Sequence, residues 1–326
     1  MKLFTVHNAT ISCNVEEITT LPQQGYLWLL VERHEVFDIN AWLKKFGREL
    51  NERHIDDCRQ PNHPSFFDCM KDYDIVIFRS LSERHDGEHR RQFDSTTFIH
   101  FPGILITLYD EANPNILKVM ELFTMEGRVV PETPDVMIEY YLHFLVDRLL
   151  DVKQSIDNRL GLWQKKLLQA QAAAPDWSGL LDFQNDVRRL KALCEEQSDL
   201  INAWRANVRL DLHKSHRHDD QLLINLNDLA EHSGRVLRVA TQSQLELQTL
   251  MQLHFTILSH RTNEIMRIVA LITGVFLPAN LITGIFGMNF THMPDLTKPY
   301  GFFFALGSMA AIGAILLMFF RWRKWL

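Results

Sequence analysis

Asn263, Met266, Ala270, Thr273, Leu277, Asn280 and Gly284 recur at spacings of three and four, which on a helix sets them along one narrow stripe. The stretch around them carries no charge, since no Asp, Glu, Lys or Arg occurs from Ile268 to Pro294. Two chemistries fit this mixture of small, apolar and amide side chains. Small and polar residues make close helix–helix seams in a bilayer. A row of neutral amides can equally offer oxygen dipoles to a passing cation, as a pore wall does. Pro278 in the same stretch lacks the N–H that would pair with the carbonyl of Gly274, so that carbonyl needs another partner or water. The stretch ends in Gly284-Ile-Phe-Gly-Met-Asn-Phe290. Gly287 permits a sharp departure from helical geometry, after which Asn289 can turn its carboxamide inward where several subunits meet. As a bare tripeptide Gly287-Met288-Asn289 is a motif that chance supplies. Its position at the outer end of the first of two apolar spans gives it weight.

Two histidine-rich segments invite metal chemistry. His213, His216 and His218, with Asp219 and Asp220, offer nitrogen and oxygen ligands of the kind Zn²⁺ takes, and they read equally as a polar turn between helices. His85-Asp-Gly-Glu-His89 has the look of a metal-hydrolase fragment, but Asp86-Gly87 is a turn signal and favours a surface hairpin. There is no P-loop, no G-x-S-x-G and no H-E-x-x-H, which argues against an ATP-driven pump and against an enzyme.

The elements that must position the stripe follow from the distribution of charge. The apolar runs Ile268–Pro294 and Tyr300–Phe320 are each long enough for a membrane helix, which needs about 20 residues to cross roughly 30 Å of hydrocarbon. Before Ile268 stand 30 basic and 39 acidic residues, a net charge of −9. That balance opposes nucleic-acid binding, which needs a basic face, and suits cations better. Cys13, Cys58, Cys69 and Cys194 are scattered and read as reduced cytosolic thiols. The N-terminal residues lack the apolar stretch of a secretory signal, so both ends are expected in the cytoplasm.

Residues 1–130 read as a cytosolic α/β domain, with strands at Tyr26–Val31, Asp74–Phe78 and Phe98–Leu108 and helices at Asp38–Phe46 and Asn113–Phe123. Residues 131–220 read as a helical hairpin and connector, its first helix running from Pro134 to about Ala173 and its second from Trp177 to about Val208, with Ala174-Pro175-Asp176 between them. Residues 221–267 form a stalk helix that continues without a break into a pore-lining span over 268–290. A periplasmic loop over 291–299, a uniformly apolar second span over 300–320 and a basic cytosolic tail over 321–326 complete the chain. The fold class is thus an α+β multidomain membrane protein.

These features together resemble the CorA family of magnesium transporters, the two-transmembrane Gly-x-Asn family. The resemblance is carried by Asn263-Glu-Ile-Met266, the region of Pro278, Phe286 before Gly287-Met288-Asn289, Phe290, the loop Met293-Pro-Asp-Leu296 and the ending Lys324-Trp-Leu326. It implies a funnel-shaped homopentamer in a bacterial inner membrane, conducting divalent cations, with no cofactor. Five copies of Asn289 would form a selectivity ring, and Asn263, Met266, Ala270, Thr273, Leu277, Asn280 and Gly284 would line the pore, Met266 and Leu277 as constrictions that gate by dewetting. Mg²⁺ releases its waters reluctantly, so neutral amides would hold it through its water shell. The resemblance further implies that Asp228 holds a regulatory Mg²⁺ between cytosolic domains. Two departures stand out: Gln252 occupies an acidic stalk position, and Thr291 follows Phe290 where many relatives have Glu, leaving Asp295 in the outer loop. Co²⁺ and Ni²⁺ are further candidate ions. The alternatives are a Zn²⁺ transporter of the ZntB branch, which commonly carries Gly-Val-Asn, and a membrane-anchored sensor or scaffold.

Overall fold

The computed structural model describes residues 2–7, 10–14, 20–35, 38–85, 91–110, 115–124, 129–169, 177–214, 220–288 and 300–323. It divides into two compact units, Met1–Gln248 and Thr249–Leu326.

The first unit is built on a seven-stranded mixed sheet. Its strands are β1 (Lys2–His7), β2 (Thr10–Asn14), β3 (Tyr26–Glu32), β4 (Phe66–Cys69), β5 (Asp74–His85), β6 (Arg91–Phe101) and β7 (Ile104–Tyr109), in the order β2-β1-β3-β7-β6-β5-β4. Only β3 and β7 run parallel; every other neighbouring pair is antiparallel. Because side chains alternate across a sheet, one face gathers Leu29, Val31, Ile75, Ile77, Ile99, Ile106 and Leu108 beneath α1 (Ile39–Lys44) and α2 (Glu52–Arg59). Asp38 caps α1, its carboxylate accepting from the Ala41 N–H at 2.9 Å.

The segment Phe98–Leu108 is two strands, not one. The chain reverses at Pro102-Gly103, where Phe101 pairs with Ile104 and Gly103 adopts a φ of 81°. Proline followed by a residue with positive φ is the signature of a tight turn, and the apolar residues on both sides of it gave no contrast to mark the break. The Asp86–Glu88 segment lies outside the described residues, but β5 and β6 flank it as an antiparallel pair with His85 opposite Arg91.

The helices that follow the sheet are α3 (Asn115–Thr124), α4 (Pro134–Gln169), α5 (Trp177–Lys214) and α6 (Asp220–Phe286), and α4 and α5 pack on its opposite face. On α4, Tyr141 stacks edge-on against Phe98 with centroids 5.1 Å apart, and its hydroxyl is 2.8 Å from that of Thr96. Trp204 of α5 meets Phe67 of β4, and the Gln197 amide donates to the carbonyl of Arg79 at 2.7 Å. Helices α4 and α5 hold each other through Arg159, which pairs with Asp186 at 2.9 Å and lies over the ring of Phe183. Residues 174–176, between them, lie outside the described residues.

The second unit contains the C-terminal part of α6 and the helix α7 (Gly301–Trp322). Both α6 and α7 are long and apolar enough to cross a membrane. Pro278 stands inside α6, which continues through it as one helix of 67 residues.

Candidate functional site

In the second unit α6 has two unlike faces. Leu271, Gly274, Val275, Pro278, Ala279 and Ile282 have partial cover. Gly274 makes a tight contact between the two helices: a Cβ added there would stand 3.3 Å from Cζ of Phe320 on α7. A Cβ on Gly313 would likewise meet Val275 at 3.9 Å. Glycine at 274 thus leaves room for the Phe320 ring, while at 313 an added methyl would make only ordinary contact.

Asn263, Met266, Ala270, Thr273, Leu277, Asn280 and Gly284 are all exposed in the chain, with Met266 at 63% and Leu277 at 62%. At 3.6 residues per turn, their stripe is centred about 150° around the helix from the face that meets α7. The seam between the two spans is thus made by other residues, and the amide-bearing stripe has no partner within its own chain among the described residues. Thr273 donates its hydroxyl to the carbonyl of Val269 at 2.8 Å, and Thr283 donates to that of Asn280 at 2.9 Å. These hydroxyls spend their O–H on the helix backbone and keep their oxygen lone pairs as acceptors.

Helix α6 ends without a left-handed residue among those described. The N–H of Gly287 still bonds the carbonyl of Thr283 at 2.9 Å, and Met288 tightens to Ile285 at 3.3 Å. The positive-φ glycines are Gly25, Gly47 and Gly103, so the sharp departure expected at Gly287 is not made by φ reversal there. A Cβ at Gly287 would sit 3.1 Å from the Thr283 carbonyl oxygen, and that crowding is what a glycine relieves. Asn289, the loop 291–299 with Asp295, and Lys324–Leu326 lie outside the described residues, as do His216 and His218.

Asp228 belongs to the first unit and has company. On α6, Asp228 lies 3.4 Å from Nε2 of His143 on α4 and 3.8 Å from Nε2 of His232 one turn along α6. His232 Nδ1 is 3.5 Å from Asp147, and His143 Nε2 is 3.5 Å from Glu139. Glu139 is buried and accepts from the Asn225 amide at 3.3 Å. Burial pushes its carboxyl up to about 7 against the pull of that hydrogen bond, with the Asp228 charge adding to the rise. Asp228 is therefore one member of a five-residue carboxylate–imidazole group and not a lone solvated aspartate. The sequence signal for the others was the i, i+4 pairs His143/Asp147 and Asp228/His232, which put two ligand-type side chains on one face of each helix. Only the packing of α4 on α6 reveals that the two faces meet.

Comparison with known proteins places the fold in a family. The family model described as "CorA-like Mg2+ transporter protein" matches residues 23–323. "Magnesium transport protein CorA" of Haemophilus influenzae is 36% identical over 269 residues, covering 79% of this chain and 80% of that one. Two solved structures share the fold over the whole chain: "the complete structure of CorA magnesium transporter from Methanocaldococcus jannaschii", with a TM-score of 0.78 at 17% identity and 99% of its length covered, and the full-length CmaX protein, with a TM-score of 0.74 at 20% identity and 98% covered. A match running nearly end to end, on a fold that joins an α/β region, long helices and two apolar C-terminal helices, makes this protein a member of the CorA-like Mg²⁺ transporter family, membrane transporters and not enzymes.

Proposed function

We propose that this chain assembles in the bacterial inner membrane as a homopentamer with both termini in the cytoplasm, and that it conducts hydrated divalent cations, Mg²⁺ foremost. The observation that carries the reading is the exposed amide-bearing stripe on α6, turned about 150° from the face that α7 covers. In lipid, an unpaired amide such as that of Asn280 would cost on the order of 1–3 kcal/mol. Facing a hydrated lumen it is solvated and presents oxygen to the ion. Five copies of α6 place Asn263, Met266, Ala270, Thr273, Leu277, Asn280 and Gly284 along that lumen, with Met266 and Leu277 as the dewetting constrictions.

Gly287, Met288 and Asn289 form the selectivity filter in this reading. Five neutral carboxamides hold the water shell of Mg²⁺ without stripping it, because that ion dehydrates reluctantly and a charged ring would trap it. Asp295 draws cations to the outer mouth, and Asp228 takes part in a regulatory cation site in the cytosolic part. The partition into a cytosolic α/β domain (1–130), hairpin (131–220), stalk (221–267), pore span (268–290), outer loop (291–299), second span (300–320) and tail (321–326) belongs to the same proposal. Several relatives are named as magnesium or cobalt/magnesium transport proteins, which supports Mg²⁺ as cargo with Co²⁺ as a second ion.

The test is flux. Protein reconstituted in liposomes loaded with a Mg²⁺-sensitive dye should admit Mg²⁺, and Asn289→Ala should abolish entry while leaving the assembly intact on size-exclusion chromatography. Normal entry through Asn289→Ala would overturn the filter assignment, and no entry through the parent protein would overturn the channel. Zn²⁺ uptake measured in the same vesicles ranks the two ions.

A further inference from the structure

Helices α4 and α6 each turn a pair of metal-ligand side chains toward the other, both pairs drawn from one chain and one unit. His143 and Asp147 are one turn apart on α4, and Asp228 and His232 are one turn apart on α6. One ligand atom from each of His143, Asp147 and His232 lies within 4.8 Å of the other two. The separation of His232 Nδ1 from Asp147 Oδ1 is 3.5 Å, and the two imidazoles stand edge to face with centroids 5.4 Å apart.

These distances have a meaning. A charge-assisted N–H···O bond closes to about 2.7–2.9 Å. Ligand atoms around a tetrahedral Zn²⁺, at bonds of about 2.0–2.2 Å, stand about 3.3–3.5 Å from each other. The His232–Asp147 spacing of 3.5 Å matches the edge of such a tetrahedron, but ion pairs elsewhere in the molecule, such as Arg33–Asp110 at 3.5 Å, stand equally far apart, so the convergence of the three side chains from two helices carries the case. The Nδ1 atom of His232 is also screened from solvent with no hydrogen-bond partner, a lone nitrogen aimed into the group. On the other side of the same ring, Nε2 faces Asp228 at 3.8 Å, longer than a hydrogen bond but on the side where a ligating histidine ordinarily hands its remaining N–H to a carboxylate.

We propose that His143, Asp147 and His232 form a site for a nitrogen-preferring divalent ion such as Zn²⁺ or Co²⁺, with water as the fourth ligand and Asp228 orienting His232. Two imidazoles and one carboxylate select against Mg²⁺, which takes oxygen ligands. The bound ion cross-links α4 to α6 and stabilises their packing by mass action. The site lies in the first unit, needs no second subunit, and uses none of the residues assigned to the pore.

The experiment uses the full-length protein in detergent, with His213, His216 and His218 replaced by alanine to silence the connector, stripped by a chelator and titrated with Co²⁺. One Co²⁺ per chain should bind with the intense visible bands of tetrahedral coordination and be displaced by one Zn²⁺ but not by excess Mg²⁺. His232→Ala and Asp147→Asn should each weaken Co²⁺ binding at least tenfold. Asp147→Asn is nearly isosteric at a side chain more than half exposed, so a retained circular dichroism spectrum is expected and separates lost ligation from lost folding. A pale, octahedral Co²⁺ spectrum in the parent protein, or unchanged affinity in Asp147→Asn and His232→Ala, would overturn the site. Because the readout is binding and not flux, either outcome leaves the channel proposal to its own test.

Discussion

Helix α6 changes character along its length. Within the first unit it buries Leu222, Leu226, Leu229, Val236, Ala240 and Leu247, spaced by the threes, fours and sevens of an amphipathic helix against its own chain. Within the second unit the same helix leaves Ile265, Met266, Ile268, Val269, Ile272, Phe276, Leu277 and Leu281 exposed. A water-soluble protein does not expose an apolar surface of that extent. The contrast separates two solvents: the first stretch closes a core against water, and the second is apolar and uncovered, as a membrane transporter's spans are. It also separates two kinds of polar residue. Ser233 and Ser243 are buried among packed helices, while Asn263 and Asn280 sit exposed on the uncovered stripe.

The sharpest way to break this comparison is one replacement made at both places. Leu229→Asn in the first unit removes a side chain with 0% exposure and leaves an amide without a partner, and should lower stability by about 3–5 kcal/mol. Leu277→Asn, on the stripe, should leave the thermal transition of the first unit within about 0.5 kcal/mol. Near-UV circular dichroism melts of both variants decide it; equal losses would mean that the stripe is a packed surface after all.

A smaller effect should appear on the covered face of the second unit. Gly274→Leu drives a side chain into Phe320, whose ring already stands 3.3 Å from the added Cβ, and overpacking of this kind costs about 1–3 kcal/mol. Protease resistance of the α6–α7 pair in membranes should fall, whereas Ala270→Leu on the stripe should spare it. If the two variants were equally resistant, the assignment of α7 to the Gly274 face would fail.

The same contrast explains what the sequence could and could not tell. Helix α6 was legible end to end because no proline precedes Pro278 and Gly234 is the only glycine before Gly274. Strand β3 was legible because Tyr26–Val31 is an unbroken apolar run, buried on both faces. The helix α2 passed unnoticed since only His54 and Cys58 of its eight residues are buried, too narrow a stripe to give periodicity. Strands β1, β2 and β4 are short, and β1 buries only Phe4 and Val6. Asp228 is implied by the family resemblance, yet its partner His143 lies 85 residues earlier and Asp147, the partner of His232, 85 residues before that histidine, and no local pattern records which helix faces meet.

The smallest expected effect is an absence of reaction, and it tests whether the first unit is a closed core. Cys58 and Cys194 are buried. Burial pushes the Cys58 thiol up to about 12, with the nearby Arg33 charge opposing the rise, and it pushes Cys194 to about 12 with Glu195 adding to it. An acid whose folded pKa is raised is held in its protonated form, so the stability linked to it is fully present at neutral pH and is lost as pH rises from the ordinary thiol value of about 8.5 through about 12. The thiolate is the nucleophile, and at pH 8 only about one in 10⁴ of these thiols would carry it. Exposed Cys13 should therefore react with a maleimide within minutes, while Cys58 and Cys194 stay unmodified from pH 7 to 9 until denaturant opens the unit. Mass spectrometry of the labelled chain reads the order directly. Labelling of Cys58 or Cys194 at the rate of Cys13 in native protein would show that the first unit breathes open, and the contrast between a sealed core and an uncovered stripe on one helix would lose its first term.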